Sequence, residues 1–313
     1  MKTPGVTVLF ITVCMAWGTT WMAMQVAVTS VPPIFATGLR FLFSAPLLLW
    51  LAKRTGAPLL LPPGRRGMHW AIGLFYFAIP FTLMIHGERS VSPGLAAIIF
   101  STMPAGVLLA GRFLYGERAT RRQIIGLVLA LPALSAILWL EMRGGSGDLQ
   151  GIGALLLAVA MHSVMYVVCK RRLPQIPVLT FNALPCLGAA VLLLIVGTYW
   201  EQPQPARFAA RSVAAIAYLG LAAGVIGILA YFALQQRAGS FKASAAFLVF
   251  PLVALAIDAC VAGRLPSAVS LWLLLPLTAG VALVLRPASD RTACVSERRA
   301  GVTGAPESPA PPS

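Results

Sequence analysis

Residues 96–116, AAIIFSTMPAGVLLAGRFLYG, return 147 positions later in a diverged copy, residues 243–263, ASAAFLVFPLVALAIDACVAG. The shift superimposes three informative pairs, which are Phe100 and Phe247, Pro104 and Pro251, and Gly116 and Gly263. Each copy is apolar over about 20 residues, the length that crosses a bilayer as an α-helix. The pair therefore predicts an internally repeated membrane protein.

Similar apolar runs make up most of the chain. They predict ten membrane spans, at residues 6–28, 33–52, 68–86, 94–114, 122–140, 150–169, 178–199, 212–234, 242–262 and 268–286. We predict a first five-helix repeat over residues 6–140 and a second over 150–286. Residues 287–313 are rich in proline, serine and charge, which predicts a disordered cytoplasmic tail.

The odd number of spans in each half has a topological consequence. Five spans carry the chain from one side to the other, so the second repeat must insert upside down relative to the first. Inverted repeats of this kind are typical of transporters, whose substrate site lies near the midplane between the halves. The predicted fold is therefore an all-α integral membrane protein with ten transmembrane helices in two inverted five-helix repeats.

The basic residues predict which side of the membrane each loop faces. With a cytoplasmic N-terminus, the inside segments hold 18 of the 24 lysines and arginines, the outside loops hold 5, and Arg40 lies within a span. Because cytoplasmic loops of membrane proteins carry the excess of lysine and arginine, we expect both termini to be cytoplasmic.

The composition argues against other classes of protein. Hydrophobic residues make up 58% of the chain, only 11% of residues are charged, and the net charge is +15. A soluble protein could not cover so much apolar surface, and the basic residues lie in short clusters between spans rather than in a nucleic-acid-binding patch. We expect a lipid bilayer and a small-molecule substrate as partners, and no nucleic acid.

The chain resembles the drug/metabolite transporter superfamily, in its ten-span EamA-type branch. The residues that carry the resemblance are Trp17-Gly18-Thr19, Arg40-Phe41, Pro104, Gly116-Glu117-Arg118, Gly126, and Lys242-Ala243-Ser244 with Pro251. The resemblance covers about residues 10–286 and implies export of small metabolites, often amino acids or related compounds. One departure is that the second repeat reads Gly263-Arg264 where Gly-Glu is usual, so a second carboxylate cannot be assigned there.

Arg40 lies about eight residues inside the second span, near 12 Å deep at about 1.5 Å per residue. A charged side chain at that depth costs about 2.5–3.5 kcal/mol on insertion scales, so we expect an interaction that compensates for this cost. Its guanidinium could bind a substrate carboxylate or phosphate. Alternatively, it is a structural arginine bonded to helix carbonyls or to a neighbouring helix end.

Two residues could carry a coupling proton. His162 lies near the midplane of the sixth span and could titrate near neutral pH, or could simply bond to a neighbouring helix. Asp258 lies near the outer end of the ninth span and could bind a proton, pair with Arg40, or be exposed at the rim. Facilitated diffusion or exchange is the alternative to proton coupling.

Aromatic residues are the remaining candidates for substrate binding. Trp17 and Trp21 form an i, i+4 pair in the first span, as His162 and Tyr166 do in the sixth, and both pairs could face a central cavity. Lipid-facing positions are the alternative. The further candidates are Tyr76 and Tyr231.

Other residues are candidates for helix hinges or for side chains that order a cytoplasmic loop. The repeat-related Pro104 and Pro251 are hinge candidates. At the cytoplasmic side, Glu117 could order its loop through ion pairs with nearby arginines. Lys242 could contribute to a gate, or extend to lipid phosphates.

The leading hypothesis is a secondary active or facilitative exporter of small metabolites in a bacterial inner membrane. Import, or transport of a sugar or nucleotide precursor, is the alternative. An integral-membrane enzyme is disfavoured because no HExxH, GxSxG or paired-Asp motif is present, so we expect no catalytic residue, no metal and no cofactor. Because both repeats lie in one chain, we expect a monomer, with a dimer left open.

Overall fold

The computed structural model describes residues 5–145, 147–173, 175–263 and 265–285. Every regular element in these ranges is a helix. Ten long helices follow one another: α1 Val6–Ala27, α2 Pro33–Thr55, α3 Gly67–Gly87, α4 Pro93–Tyr115, α5 Arg121–Arg143, α6 Leu149–Arg172, α7 Val178–Glu201, α8 Ala210–Ala238, α9 Ala246–Ala262 and α10 Ala268–Leu285.

The helices have the length and surface of membrane spans. Within the described ranges, nine are long and apolar enough to cross a bilayer, and α9, with 17 residues, is slightly shorter. Large apolar side chains point outward, for example Phe113 and Trp70, which are 82% and 78% exposed. A surface of this kind fits lipid rather than water. The protein is an all-α integral membrane protein.

The boundary between the eighth and ninth helices differs from the prediction. The helical backbone of α8 continues beyond its membrane-spanning part, which ends at Ala238, to Ser244, and α9 begins at Ala246. Lys242 therefore lies at the end of α8 and does not start α9, and the predicted ninth span begins four residues too early. The polar residues between 235 and 242 predicted the end of the eighth span, whereas the helical backbone of α8 continues through them. The predicted tail, 287–313, lies outside the described residues.

The helix contacts are arranged in matched pairs. Counting α6 to α10 as the counterparts of α1 to α5, α2 packs on its own counterpart α7, and α5 packs on its counterpart α10. The contacts of α1 with α8 and α9 are likewise matched by those of α6 with α3 and α4. This arrangement places α1, α3, α4, α6, α8 and α9 around the centre of the molecule.

The third and eighth helices each contain a wide turn at the same place. Residues Gly73–Ala78 of α3 and Leu219–Ile226 of α8 are π-helical, and the 147-residue shift superimposes these segments. Such turns interrupt the regular α-helical hydrogen bonds and are frequent at functional sites. Nothing in the sequence distinguished these segments from ordinary helix.

The two hinge candidates have different surroundings. α4 is interrupted at Thr102, between helical segments Pro93–Ser101 and Met103–Tyr115, so Pro104 opens the second segment. Pro251 lies inside α9, which is continuous from Ala246. A proline removes a backbone hydrogen bond to the preceding turn, which permits the break before Pro104 but does not impose one, since α9 is unbroken at Pro251.

Carboxylates at the outer side, as the predicted topology defines it, cap neighbouring helices. Glu201 at the end of α7 accepts hydrogen bonds from the backbone N–H groups of Ile34 and Phe35 at the start of α2, at 3.0 and 2.8 Å. Glu141 at the end of α5 similarly accepts from the N–H of Ser267, before α10. These contacts satisfy helix N-termini that otherwise lack partners.

We expect Glu201→Ala to destabilise the protein by about 1–2 kcal/mol, because two N–H groups of α2 lose their acceptor. A lowered melting temperature in detergent would measure this effect. Glu201→Gln keeps one acceptor oxygen and should lose less. If both variants melted with the wild type, the cap would contribute nothing to stability.

Candidate functional site

A cluster of aromatic rings fills the centre between the two halves. Trp21 of α1 packs on Phe100 of α4 with ring centroids 4.9 Å apart, and on Phe250 of α9 at 6.4 Å. His162 of α6 lies 6.1 Å from Phe100, so α6 also contributes to the cluster. These rings come from helices that are distant in sequence, so the tertiary fold alone brings them together.

Arg40 of α2 extends into this cluster. It is 6% exposed, and its guanidinium carbon lies 4.7 Å from the centre of the Phe81 ring. Its Nη1 donates a weak hydrogen bond to the Met24 sulfur at 3.7 Å. Among the residues that the structure describes, Arg40 forms no ion pair and donates no hydrogen bond to a helix carbonyl. The structural alternative, an arginine bonded to helix carbonyls, is therefore not supported.

His162 is held in a defined tautomer. Its Nδ1 lies 2.9 Å from the carbonyl oxygen of Ala158, which can only accept, so Nδ1 carries the proton. In the neutral ring, Nε2 is then an acceptor. The ring lies 5.2 Å from Phe81 and 5.1 Å from Tyr76, so Phe81 contacts both His162 and Arg40.

A second aromatic group continues the cluster toward the cytoplasmic side. The Trp17 ring lies 5.0 Å from Tyr231 of α8 and 5.7 Å from Phe247 of α9. Phe250 also contacts Trp17, at 6.4 Å, and so connects the two groups. The predicted residues Trp17, Trp21, Arg40, Tyr76, His162 and Tyr231 thus belong to one continuous set of contacts.

Tyr166 lies at the edge of this set. Its side chain is 39% exposed, and no ring contact with the central residues is described for it. The structure therefore places Tyr166 between the centre and the outside of the bundle. Its i, i+4 relation to His162 puts the two on one helix face, but His162 alone of the pair is buried.

Sequence reasoning missed several central residues. They are the phenylalanines that join the predicted ones, Phe81, Phe100, Phe247 and Phe250. One signal could have found two of them, because Phe100 and Phe247 are equivalent in the repeat. For the other phenylalanines, the sequence does not show whether the ring faces the centre of the protein or the lipid.

The acidic candidate of α9 is buried. Asp258 is 2% exposed, and its Oδ2 accepts a hydrogen bond from the backbone N–H of Gly94 at the start of α4, at 3.2 Å. The alternative interpretation, in which Asp258 is exposed at the outer rim, is therefore wrong. A second buried carboxylate, Glu88, is 0% exposed, and sequence reasoning missed it because it follows a span and precedes Arg89.

At the cytoplasmic side, Glu117 has one defined partner. Its Oε1 accepts hydrogen bonds from Nε and Nη2 of Arg171, at 3.2 and 2.6 Å. The ion pair joins the α4–α5 loop to the end of α6, whereas the expected partners were arginines of the same loop. Both side chains are substantially exposed, so the pair contributes little to stability. The side chain of Lys242 and all of Arg264 lie outside the described residues.

The centre is closed in this structure. Arg40, Trp21, His162 and Phe250 are each at most 6% exposed. A substrate can reach them only if helices move apart, and the interruption of α4 at Thr102 gives one place where this could occur.

Comparison with known proteins agrees with this architecture. A sequence model of the EamA-like transporter family matches residues 5–139 and, a second time, residues 149–286. The chain belongs to the EamA-like transporter family. As a family member it is a multi-pass membrane transporter, and the family identity points to a transporter rather than an enzyme.

Individual relatives of this EamA-like protein are bacterial. Protein PagO of Salmonella typhimurium strain LT2 is 47% identical over 91% of this chain and 94% of its own length. A probable amino-acid metabolite efflux pump of the same organism is 23% identical over 82% of this chain and 86% of its own length. A solved crystal structure aligns with a TM-score of 0.64 at 21% identity, over 94% of this chain and 98% of that one. This likeness shows the fold.

Proposed function

We propose that this EamA-like protein exports small metabolites that carry a carboxylate, amino acids or related compounds, across the bacterial inner membrane. The observation that carries the proposal is Arg40, a buried guanidinium at the centre with aromatic neighbours and no carboxylate partner among the described residues. A buried charge without a counterion is costly, and a carboxylate substrate would supply the counterion. The planar guanidinium matches a carboxylate in a bidentate contact.

The neighbours of Arg40 narrow the substrate class. Nε2 of His162 is free to accept a hydrogen bond in the neutral tautomer, which suits a substrate ammonium group. Rings of Phe81, Trp21 and Phe100 would contact the apolar part of the substrate. A small amphiphile with one carboxylate and one donor, such as an amino acid, satisfies all three kinds of contact.

Alternating access between inverted halves would move the substrate. The matched helix contacts and the paired π-helical segments support two inverted repeats, 6–140 and 150–286. On this proposal the halves rock about the central cluster. The hinges on this proposal are Pro104, which follows the interruption of α4, and Pro251. A cytoplasmic gate would open at Glu117, which pairs with Arg171, and near Lys242 at the end of α8.

Export is the proposed direction because a relative is named a probable amino-acid metabolite efflux pump. The bacterial relatives and the helical spans support the inner membrane. Energy would come from the substrate gradient, or from protons carried by His162 or Asp258. A single chain, which already holds both repeats, is the proposed transport unit.

A growth-protection screen tests the export proposal. The protein is expressed in a bacterium that is then exposed to toxic amino-acid analogues, nucleoside analogues and cationic drugs. Protection against carboxylate-bearing amino-acid analogues alone is the expected result. Increased sensitivity to them would mean import, and protection only against compounds without a carboxylate would contradict the role of Arg40.

We also predict that both termini are cytoplasmic. The measurement is protease access to tags placed at either end, in intact cells and in inverted vesicles. Both tags should resist external protease in cells and be removed in inverted vesicles. External removal of one tag alone would mean an odd number of spans, which is incompatible with two five-helix repeats.

A further inference from the structure

A pocket lined by arginines lies at the side of the protein that the predicted topology makes cytoplasmic. Its volume is about 590 Å³, which falls in the range of small-ligand sites, about 300–1,000 Å³. One wall is the loop before α3 with the first residues of α3, and the other wall is the end of α6. The lining residues are Gly64, Arg65, Gly67, Met68, Arg171 and Arg172. The pocket therefore bridges the first and second halves of the chain.

The loop between α2 and α3 is held in place, so that Arg65 has a defined position. Leu61 is buried, and its N–H donates a hydrogen bond to Nε2 of His69 at 2.7 Å. The N–H of Arg65 donates to the carbonyl oxygen of Pro62, and the N–H of Met68 donates to the carbonyl oxygen of Arg65, both at 3.0 Å. These hydrogen bonds fix the backbone from which the Arg65 side chain extends.

The two walls of the pocket are joined to each other. Leu61 of the loop packs in the same buried cluster as Cys169, in the last turn of α6, and Leu173, just after that helix. Nη1 of Arg65 donates a hydrogen bond to the carbonyl oxygen of Arg172. Apolar packing and this hydrogen bond together keep the arginines of both walls close to one another.

The pocket has a surplus of positive charge. Arg171 is paired with Glu117, and its guanidinium carbon lies 5.4 Å from the centre of the Tyr115 ring. The bond of Arg65 to a carbonyl oxygen leaves its charge unneutralised. Among the described residues, the side chain of Arg172 has no ion-pair or hydrogen-bond partner. Two of the three arginines are therefore available to an anion.

Neighbouring side chains indicate that this pocket lies at the depth of lipid headgroups. Trp70, one turn after Gly67 in α3, is strongly exposed, and so is Trp50 near the end of α2. The guanidinium carbon of Arg54 lies 5.5 Å from the centre of the Trp50 ring. Tryptophan is enriched where a membrane meets water. Leu60 of the loop is exposed as well, which suits contact with lipid better than contact with water.

We propose that this pocket binds the headgroup of an anionic phospholipid of the cytoplasmic leaflet. On this proposal the lipid phosphate lies between Arg65 and Arg172, because planar guanidinium groups match phosphate oxygens. The acyl chains lie beside α3, where Trp70 is exposed. Basic pockets between membrane helices at the cytoplasmic side are known to suit such headgroups. A soluble anion would contact the arginines but would leave the apolar surface uncovered. The inference does not depend on the transported substrate.

A lipid titration of the purified protein tests this site. The protein is kept in a neutral detergent, and its melting temperature is followed as phosphatidylglycerol, phosphatidylethanolamine or inorganic phosphate is added. Phosphatidylglycerol should raise the melting temperature until the site is saturated, because a ligand of the folded state stabilises that state. Phosphatidylethanolamine has a phosphate but no net charge, and inorganic phosphate has no acyl chains. Both should therefore have little effect.

Two variants assign the effect to the pocket. They are Arg172→Gln and the double variant that adds Arg65→Gln. Because Arg172 has no described side-chain partner to lose, its variant should fold normally. The phosphatidylglycerol concentration that gives half of the maximal shift should rise by about fivefold for each arginine removed. The shift is measured against each variant's own melting temperature without lipid, so a change in stability caused by the substitution itself does not enter.

The matched control replaces Arg121 and Arg122 at the start of α5 by glutamine. Both are exposed, lie at the same side of the membrane in the predicted topology and do not line the pocket. This variant loses two positive charges, as the double variant does, but it should bind phosphatidylglycerol as the wild type does. Equal weakening in the control would mean that binding follows net charge alone, and this would contradict the proposal.

Other outcomes would also overturn the proposal. If phosphatidylglycerol gave no shift, or if phosphatidylethanolamine gave an equal one, the arginines would not select an anionic headgroup. An equal shift with inorganic phosphate would indicate a site for free anions and not for lipid. No transported substrate is present in the titration, so failure of the lipid site and failure of export can be told apart.

Discussion

Arg40→Leu is expected to abolish export of carboxylate substrates while leaving the protein about as stable as the wild type. Each hydrogen bond to a charged group contributes about 1.5–3 kcal/mol, so losing a bidentate contact weakens binding by about 100-fold or more. Stability should change little because two effects offset each other. Leucine removes a buried charge that costs about 2.5–3.5 kcal/mol and loses a cation–π contact with Phe81 of about 2 kcal/mol.

Measuring both export and melting temperature distinguishes a structural role of Arg40 from a role in substrate binding. A structural arginine that held helices together would lower the melting temperature when replaced, whereas a substrate-binding arginine lowers export alone. Arg40→Lys keeps the charge without the planar fork and should export slowly. The control is Arg66→Leu, which removes an exposed arginine and should export normally. Normal export by Arg40→Leu at equal membrane levels would remove Arg40 from the site.

The second large effect is expected at the contact of α5 with α10. A side-chain carbon on Gly126 would lie 2.6 Å from the carbonyl oxygen of Gly280 and 3.0 Å from the backbone nitrogen of Val284. Because the obstructing atoms are backbone, the helices themselves must separate to admit even one methyl group. Gly126→Ala should destabilise the protein by about 1–3 kcal/mol, and Gly126→Leu should prevent stable folding.

A glycine in open surroundings provides the control. A side-chain carbon on Gly153 of α6 would have nothing within 4 Å. Gly153→Ala should therefore be neutral or stabilise by about 0.4–1 kcal/mol, since alanine restricts the unfolded chain. Melting temperatures in detergent measure both. Equal behaviour of Gly126→Ala and Gly153→Ala would mean that α5 and α10 are not in the close contact described.

The helices were predictable because apolar runs of bilayer length are unambiguous. Their boundaries agree with the prediction within a few residues, except at the end of α8, whose helical backbone continues through the polar residues that predicted its end and includes Lys242. The membership of the chain in the EamA-like family, predicted from motifs such as Trp17-Gly18-Thr19, is confirmed. The π-helical turns were not predictable, because backbone hydrogen-bond shifts leave no mark in residue type.

The site was only partly predictable. Polar residues in apolar spans, such as Arg40 and His162, are conspicuous because their burial is costly. Phe81 and Phe250 are not conspicuous in the sequence, because an apolar ring can face either lipid or the protein interior. Glu88 was missed for a different reason. Its position just beyond a span resembles an ordinary loop, and its complete burial is a feature of the tertiary structure that the neighbouring sequence does not show.

Exchange in reconstituted vesicles tests the central claim most directly. Purified protein is placed in liposomes loaded with an amino acid from the growth screen, and uptake of the labelled compound by counterflow is compared with that of its decarboxylated amine. We predict exchange of the amino acid well above that of protein-free vesicles and no exchange of the amine, because Arg40 requires a carboxylate. Equal exchange of both compounds, or exchange of the amine alone, would contradict the account.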